Sequence, residues 1–307
     1  MENVVVETKN LTKVYNAQKS VDNLNLHVQQ GHIYGLLGRN GAGKTTTMKM
    51  LLNLITPTEG TALIFGQDIH KEYRSILPRV GSLIEDPGFY PNLTATENLS
   101  IFAEMRKLPS KKIVPEALEF VGLPYKDKKL FSQFSLGMKQ RLAIALSVMH
   151  DPELLILDEP INGLDPIGIV EMREFIKKLC VERNKTIIIS SHILSEISLI
   201  ANDIGIIHEG KLLVETPLEK LNEKNRRYLH FTVSDAKKAG EVLVKTFQTR
   251  NFEIDEKNSL ILFDLEIPIE KIVKSFINNE IDVKESQVHE ESLEEYFKKL
   301  TGGVGIA

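Results

Sequence analysis

One stretch limits what this chain can fold into more than any other: Gly38-Arg39-Asn40-Gly41-Ala42-Gly43-Lys44-Thr45. An apolar, strand-like run precedes it, Ile33-Tyr34-Gly35-Leu36-Leu37, and a helix-like run follows, Thr46-Thr47-Met48-Lys49-Met50-Leu51-Leu52. Strand, G-x-x-x-x-G-K-[ST] loop and helix in that order make a phosphate-binding loop. The residue types follow from the ligand. Glycines let the backbone curl until its N–H groups face phosphate oxygens, and the next helix presents its positive end to the same anion. Gly38, Asn40, Gly41, Ala42, Gly43 and Thr46 are the candidates to cradle the triphosphate. Lys44 would reach the β- and γ-phosphates, and Thr45 would place its hydroxyl on Mg²⁺.

With 307 residues the chain exceeds the usual single-core range, so two domains are expected. A formal charge of -4 gives no overall reason to expect a nucleic-acid partner. The single cysteine, Cys180, can form no internal disulfide and falls in a helix-like run, where packing is its expected role. The N-terminus lacks the basic start and long apolar core of a secretion signal, and no uninterrupted apolar run approaches about 18 residues. A cytoplasmic chain is expected; if it serves a membrane process, the spanning part is another polypeptide.

Residues 4–9 and 20–28 alternate apolar and polar side chains, as half-buried strands do. Between them Leu11-Thr12-Lys13-Val14-Tyr15 ends on an aromatic that either packs locally or stacks on a purine ring. A short strand at 61–65 and another at 80–84 follow, the latter running into Glu85-Asp86-Pro87-Gly88, which must break regular structure. From Thr94 to about residue 150 the pattern turns helical, opening on the capping box Thr94-Ala95-Thr96-Glu97. The core resumes with Leu154-Leu155-Ile156-Leu157-Asp158-Glu159, a buried strand delivering two acids at its C-terminal end, where open α/β sheets bind ligands. A helix over 167–181 leads to a second buried strand, 186–191, which delivers His192; residues 204–207 and 211–214 pair as a hairpin. Past Pro217 the order strand 226–232, helix 236–247, strand 252–254, strand 260–265, helix 269–278, strand 283–288 suggests a small ferredoxin-like module, closed by a helix at 292–300. It carries no nucleophile constellation or metal spacing and reads as a packing or regulatory domain, before a tail at Gly302-Gly303-Val304-Gly305.

Beside a phosphate loop, Asp158 can hold Mg²⁺ and Glu159 can orient and deprotonate an attacking water. His192 is either structural or a sensor of the γ-phosphate. A fourth element lies ahead of the buried strand: Phe134-Ser135-Leu136-Gly137-Met138-Lys139-Gln140-Arg141. It resembles the Leu-Ser-Gly-Gly-Gln signature of ATP-binding cassette proteins, and residues 1–218 carry the other motifs in that family's order. The resemblance implies an α/β fold: a P-loop core with a parallel sheet, an antiparallel β subdomain and a helical lobe over about 86–150. The small α+β ferredoxin-like module would occupy 219–307. It implies further that Tyr15 is an adenine platform, that Leu164-Asp165 crosses to a partner, and that His192 is the switch histidine. Two cassettes of this family close head to tail, so Ser135 and Gly137 would meet ATP held by another copy. With one cassette per chain and every catalytic motif present, a homodimer is expected, coupled to a separately encoded membrane permease at the cytoplasmic face of the membrane.

Leu136 and Met138 depart from the signature, and Glu85 stands where the family has Gln. A carboxylate there adds charge beside Mg²⁺ and a possible proton acceptor, so Glu85 is a candidate both for catalysis and for the metal. Residues 85–94 resemble ATPases of lantibiotic-immunity and bacitracin-resistance exporters, as does the ending Ser292-Leu293-Glu294-Glu295-Tyr296-Phe297. The expected activity is ATP hydrolysis powering export of an antimicrobial peptide or antibiotic. The alternatives are the ATPase of another ABC-2-type exporter and a soluble cassette protein that moves nothing across a membrane.

Overall fold

The computed structural model describes residues 3–85, 87–224, 227–255, 259–290 and Lys298. The chain divides into two compact units, with the division between Leu218 and Glu219. In the first, β1 (Val4–Tyr15), β2 (Gln18–Leu24), β3 (His27–Gln29), β4 (Ile33–Leu37), α1 (Lys44–Leu51), β5 (Glu59–Ile64), β6 (Gln67–Asp68), α2 (Ile69–Ile76) and β7 (Val80–Leu83) precede three helices, α3 (Ala95–Met105), α4 (Ser110–Phe120) and α5 (Leu136–Val148). Then come β8 (Leu154–Leu157), α6 (Pro166–Val181), β9 (Thr186–Ser191), α7 (Leu194–Ile197), β10 (Asp203–His208) and β11 (Lys211–Pro217), with α8 (Leu218–Lys224) at the division.

Two sheets result. β2-β1-β5-β6, with β3 also on β1, is antiparallel; β11-β10-β4-β9-β8-β7 is parallel except for β11. The burial pattern explains the order. β4, β8 and β9 are buried at every position and occupy the middle of the parallel sheet, where both faces need cover. Strands β1, β2 and β5 are buried at only some positions and cover one side of a shared core that includes Leu11, Leu24, Met48 and Ile156. Glu215 on β11 fastens the two sheets together: it accepts the Tyr34 hydroxyl at 2.9 Å and the His27 amide at 2.7 Å. Burial is the main reason the Tyr34 phenol is pushed well above the usual tyrosine range. No described helix is long and apolar enough to cross a membrane.

The helical segment begins as its capping box dictates. The Thr94 hydroxyl accepts from the Glu97 amide, and the Glu97 carboxylate accepts from the Thr94 amide at 2.8 Å. Phe89, Phe102, Phe131 and Phe134 form an aromatic cluster in this region, with ring centroids 5.1–5.8 Å apart.

The second unit holds β12 (Arg227–Val233), α9 (Ala236–Phe247), β13 (Phe252–Ile254), β14 (Ser259–Leu262), α10 (Ile269–Asn278) and β15 (Val283–Glu290). Its sheet order, β13-β14-β12-β15, is antiparallel throughout, the ferredoxin-like arrangement. Leu229, Phe231 and Val233 from β12 pack with Leu243, Ile272 and Phe276 from the two helices. The expected closing helix at 292–300 and the tail at 302–305 lie outside the described residues, apart from Lys298.

Three details differ from the sequence reading. Residues 20–28 are two strands, broken at Asn25-Leu26, two residues after Asn23 takes a left-handed conformation (φ 54°) inside β2. Residues 4–15 are one strand rather than two segments; Asn10 at φ 52° is absorbed as a register shift. Helix α2, capped by Asp68, was not foreseen: it is short and turns only Ile69, Tyr73 and Ile76 toward the core.

Candidate functional site

The loop between β4 and α1 shows two uses of glycine. Gly41 and Gly43 have φ of 81° and 108°, which L side chains rarely adopt. At Gly38 a Cβ would meet the Ile207 carbonyl at 2.4 Å, so glycine is needed there for backbone packing. The Gly41 side faces open space. Helix α1 makes its first internal bond from the Thr47 amide to Gly43 O at 2.9 Å, leaving the amides of Lys44, Thr45 and Thr46 without intrahelical acceptors. That is a ring of N–H donors at a positive helix end. Asn40, Gly41 and Ala42 line a cleft of about 410 Å³ with His192, His208 and Glu209.

Lys44 is only 5% exposed, an unusual burial for an ammonium. Three oxygens compensate it: Gly38 O at 2.6 Å, Arg39 O at 3.2 Å and the Glu159 carboxylate at 3.1 Å. The charge is thereby fixed under the loop it serves. Thr45 donates its hydroxyl to Asp158 at 2.7 Å, joining the start of α1 to the end of β8. Thr46 pairs with Ser20 on β2 at 3.0 Å, so the same helix turn is also tied to the antiparallel sheet.

Asp158 and Glu159 leave β8 in opposite directions because Glu159 has a left-handed backbone (φ 47°). One carboxylate turns to Thr45. The other bridges Lys44 and His192, whose Nδ1 is 2.9 Å from its second oxygen. Ser190 on β9 joins the pair: its hydroxyl donates to Asp158 and accepts from the Glu159 amide at 2.8 Å. Ser190 was missed in the sequence. The visible signal was its place two residues before His192 at the end of a buried strand.

Glu85 behaves otherwise. It lies two residues past the edge strand β7 in a left-handed conformation (φ 61°), its side chain is 69% exposed, and it forms an ion pair with Lys49 of α1 at 2.5 Å. The hydrogen bond to Glu85 is the main reason Lys49 is raised above the usual lysine range, and the charges of Tyr15 and Asp158 add to it. Asp86, the next residue of the segment, lies outside the described residues. Tyr15 ends β1, is 46% exposed, and has Lys13 Nζ 5.0 Å from its ring centroid. That leaves a face for an aromatic ligand.

Ser135 caps α5 and accepts the Met138 amide at 3.3 Å. Its hydroxyl proton is still available to a ligand, because a capping oxygen only accepts. Gly137 lies in the first turn of that helix, and Leu164 is the nearest side chain to the space beside it. Asp165 caps α6 by accepting the Gly168 amide at 2.7 Å. The first unit thus brings Lys44, Thr45, Asp158, Glu159 and His192 into one bonded set. No hydrogen bond among the described residues links Tyr15, Ser135, Gly137 or Glu85 to that set directly.

Known proteins share this sequence and fold. The ABC transporter family profile matches residues 21–162. A bacitracin transport ATP-binding protein of Bacillus licheniformis is 53% identical over 97% of this chain and 98% of its own length. A lantibiotic transport ATP-binding protein of Streptococcus pyogenes is 46% identical over 69% of this chain and 90% of its own. Among solved structures, a dimeric ATP-binding cassette in a post-hydrolysis state with ADP and Pi superposes with a TM-score of 0.63 at 26% identity, covering 69% of this chain and 98% of that one. Phosphate loop, acid pair, strand-end histidine and signature-like helix cap occur together on the cassette fold, and the chain belongs to the ABC transporter family.

Proposed function

We propose that the chain is the ATP-hydrolysing subunit of an exporter that removes an antimicrobial peptide or antibiotic of the bacitracin or lantibiotic type through a separate membrane permease. The observation that carries the reading is the continuous set of contacts from Thr45 through Asp158 and Ser190 to Glu159, and on to Lys44 and His192. The names of the relatives support the export role and the class of cargo.

In this reading the loop amides and Lys44 bind the triphosphate, and the Tyr15 ring holds the adenine. Thr45 and Asp158 offer a hydroxyl and a carboxylate 2.7 Å apart. Such a pair suits Mg²⁺, which takes oxygen ligands and completes its shell from phosphates and water. The bound cation would neutralise charge between the β- and γ-phosphates. Glu159 accepts a proton from the attacking water, held in orientation by His192 on one oxygen and Lys44 on the other. Ser135 and the amide of Gly137 close on ATP held by a second copy, which makes a homodimer the working unit. Residues 1–218 are the ATP-binding domain and 219–307 an accessory domain. The assembly would lie on the cytoplasmic face of the membrane, against its permease, and needs no nucleic acid.

Glu159→Gln tests the core of this reading. ATP binding is expected to persist while turnover falls by about a hundredfold or more, since a positioned base contributes that much. The stalled protein should form an ATP-dependent dimer by size-exclusion chromatography. Unchanged steady-state hydrolysis would remove Glu159 from its role. For the cargo, cells carrying the permease should lose bacitracin tolerance when Lys44 is replaced; unaltered tolerance to bacitracin and to lantibiotics would overturn the export assignment.

A further inference from the structure

Glu85 lies two residues past Leu83, whose carbonyl accepts the Asp158 amide at 2.8 Å, yet the partner of its carboxylate is Lys49. Lys49 lies on α1, the helix that begins at Lys44 and follows the phosphate loop. Glu85 is mostly exposed and bonded at one oxygen, while Asp158 is fixed at both. A carboxylate with a single partner at a strand end can swing; one with two partners cannot.

We infer that Lys49 is a positioning residue that holds the Glu85 carboxylate against α1 and away from the divalent cation, so that Glu85 reaches the metal side only by releasing Lys49. The inference rests on the functional reading above. It also explains why an acid at position 85 is tolerable beside a triphosphate: the Lys49 charge offsets it. A neutral glutamine at 85 would need no such partner.

The test is a double-mutant cycle on the full chain, with every protein carrying Glu159→Gln so that ATP persists. The readout is the Mn²⁺ affinity of the ATP complex, measured by electron paramagnetic resonance. Lys49→Met should tighten Mn²⁺ by about two- to fivefold, the scale of an exposed ion pair. Lys49→Arg should restore the parent value. In a Glu85→Gln background, Lys49→Met should have less than half that effect. An equal shift in both backgrounds would assign the effect of Lys49 to Asp158 or to general charge and overturn the inference. No shift in either background would overturn it as well. A parent that binds no ATP would instead sink the functional reading, before the cycle is reached.

Discussion

The inner strands of the parallel sheet and its β7 edge deliver acids to the same side of the molecule under opposite constraints. At the end of β8, each acid has at least two partners: Asp158 bonds Thr45 and Ser190, Glu159 pairs with Lys44 and His192, and Lys44 at the start of α1 is also bonded to two loop carbonyls. At the end of β7, Glu85 has Lys49 and open solvent. Neighbouring strands on both sides fix the inner groups to the geometry that chemistry requires. The edge leaves one acid adjustable. The difference separates groups that define a phosphate site from a group suited to report on it.

Lys44→Ala would break the inner set most severely. It removes the buried cation and leaves Glu159 without its charge partner, and ATP affinity is expected to fall by about a hundredfold or more in equilibrium binding. Ser190→Ala probes the same region more gently, because the hydroxyl touches no ligand in this reading and only aims Asp158 and Glu159. Turnover should fall about tenfold or more with ATP binding nearly unchanged, the usual cost of removing a group that orients metal-side residues. If Ser190→Ala matched Glu85→Gln in size, the contrast between centre and edge would fail. Glu85→Gln itself should keep ATP binding and change the Mg²⁺ dependence of hydrolysis by about two- to fivefold.

A separate effect concerns stability at the other end of β7. There His150 bonds Val80 O at 3.1 Å and Arg106 at 2.5 Å. Burial, reinforced by the Arg106 charge, lowers its pKa to about 4. The unfolded chain binds this proton near pH 6.5 and the folded chain does not, so stability rises with pH between about 4 and 6.5 and is lost as pH falls through that window. His150→Gln should flatten the fall in Tm over that range, as read by thermal denaturation. An unchanged acid limb would show that β7 is not held at this end by a neutral imidazole.

Much of the site could be read from the chain because its residues are close together in sequence or end continuous apolar runs. Lys44 and Thr45 follow a Gly-rich loop, and Asp158-Glu159 and His192 terminate β8 and β9. Ser190 escaped notice because its role depends on the adjacency of β8 and β9, which no local pattern encodes. Lys49 escaped for the same reason: its partner is 36 residues away. Helices α9 and α10 of the second unit were legible from their apolar stripes, whereas α2 is too short for its three core contacts to stand out.

Local sequence therefore decided the elements, the phosphate loop and the kinds of chemistry on offer, since propensity, periodicity and motif spacing are short-range properties. Tertiary structure decided which acid faces which cation. That depends on strand order in the sheet and on left-handed backbones at Glu159 and Glu85, which turn one acid inward to Lys44 and the other outward to Lys49. Charge pairing acts over a few ångströms in space, and folding, not sequence distance, sets that separation.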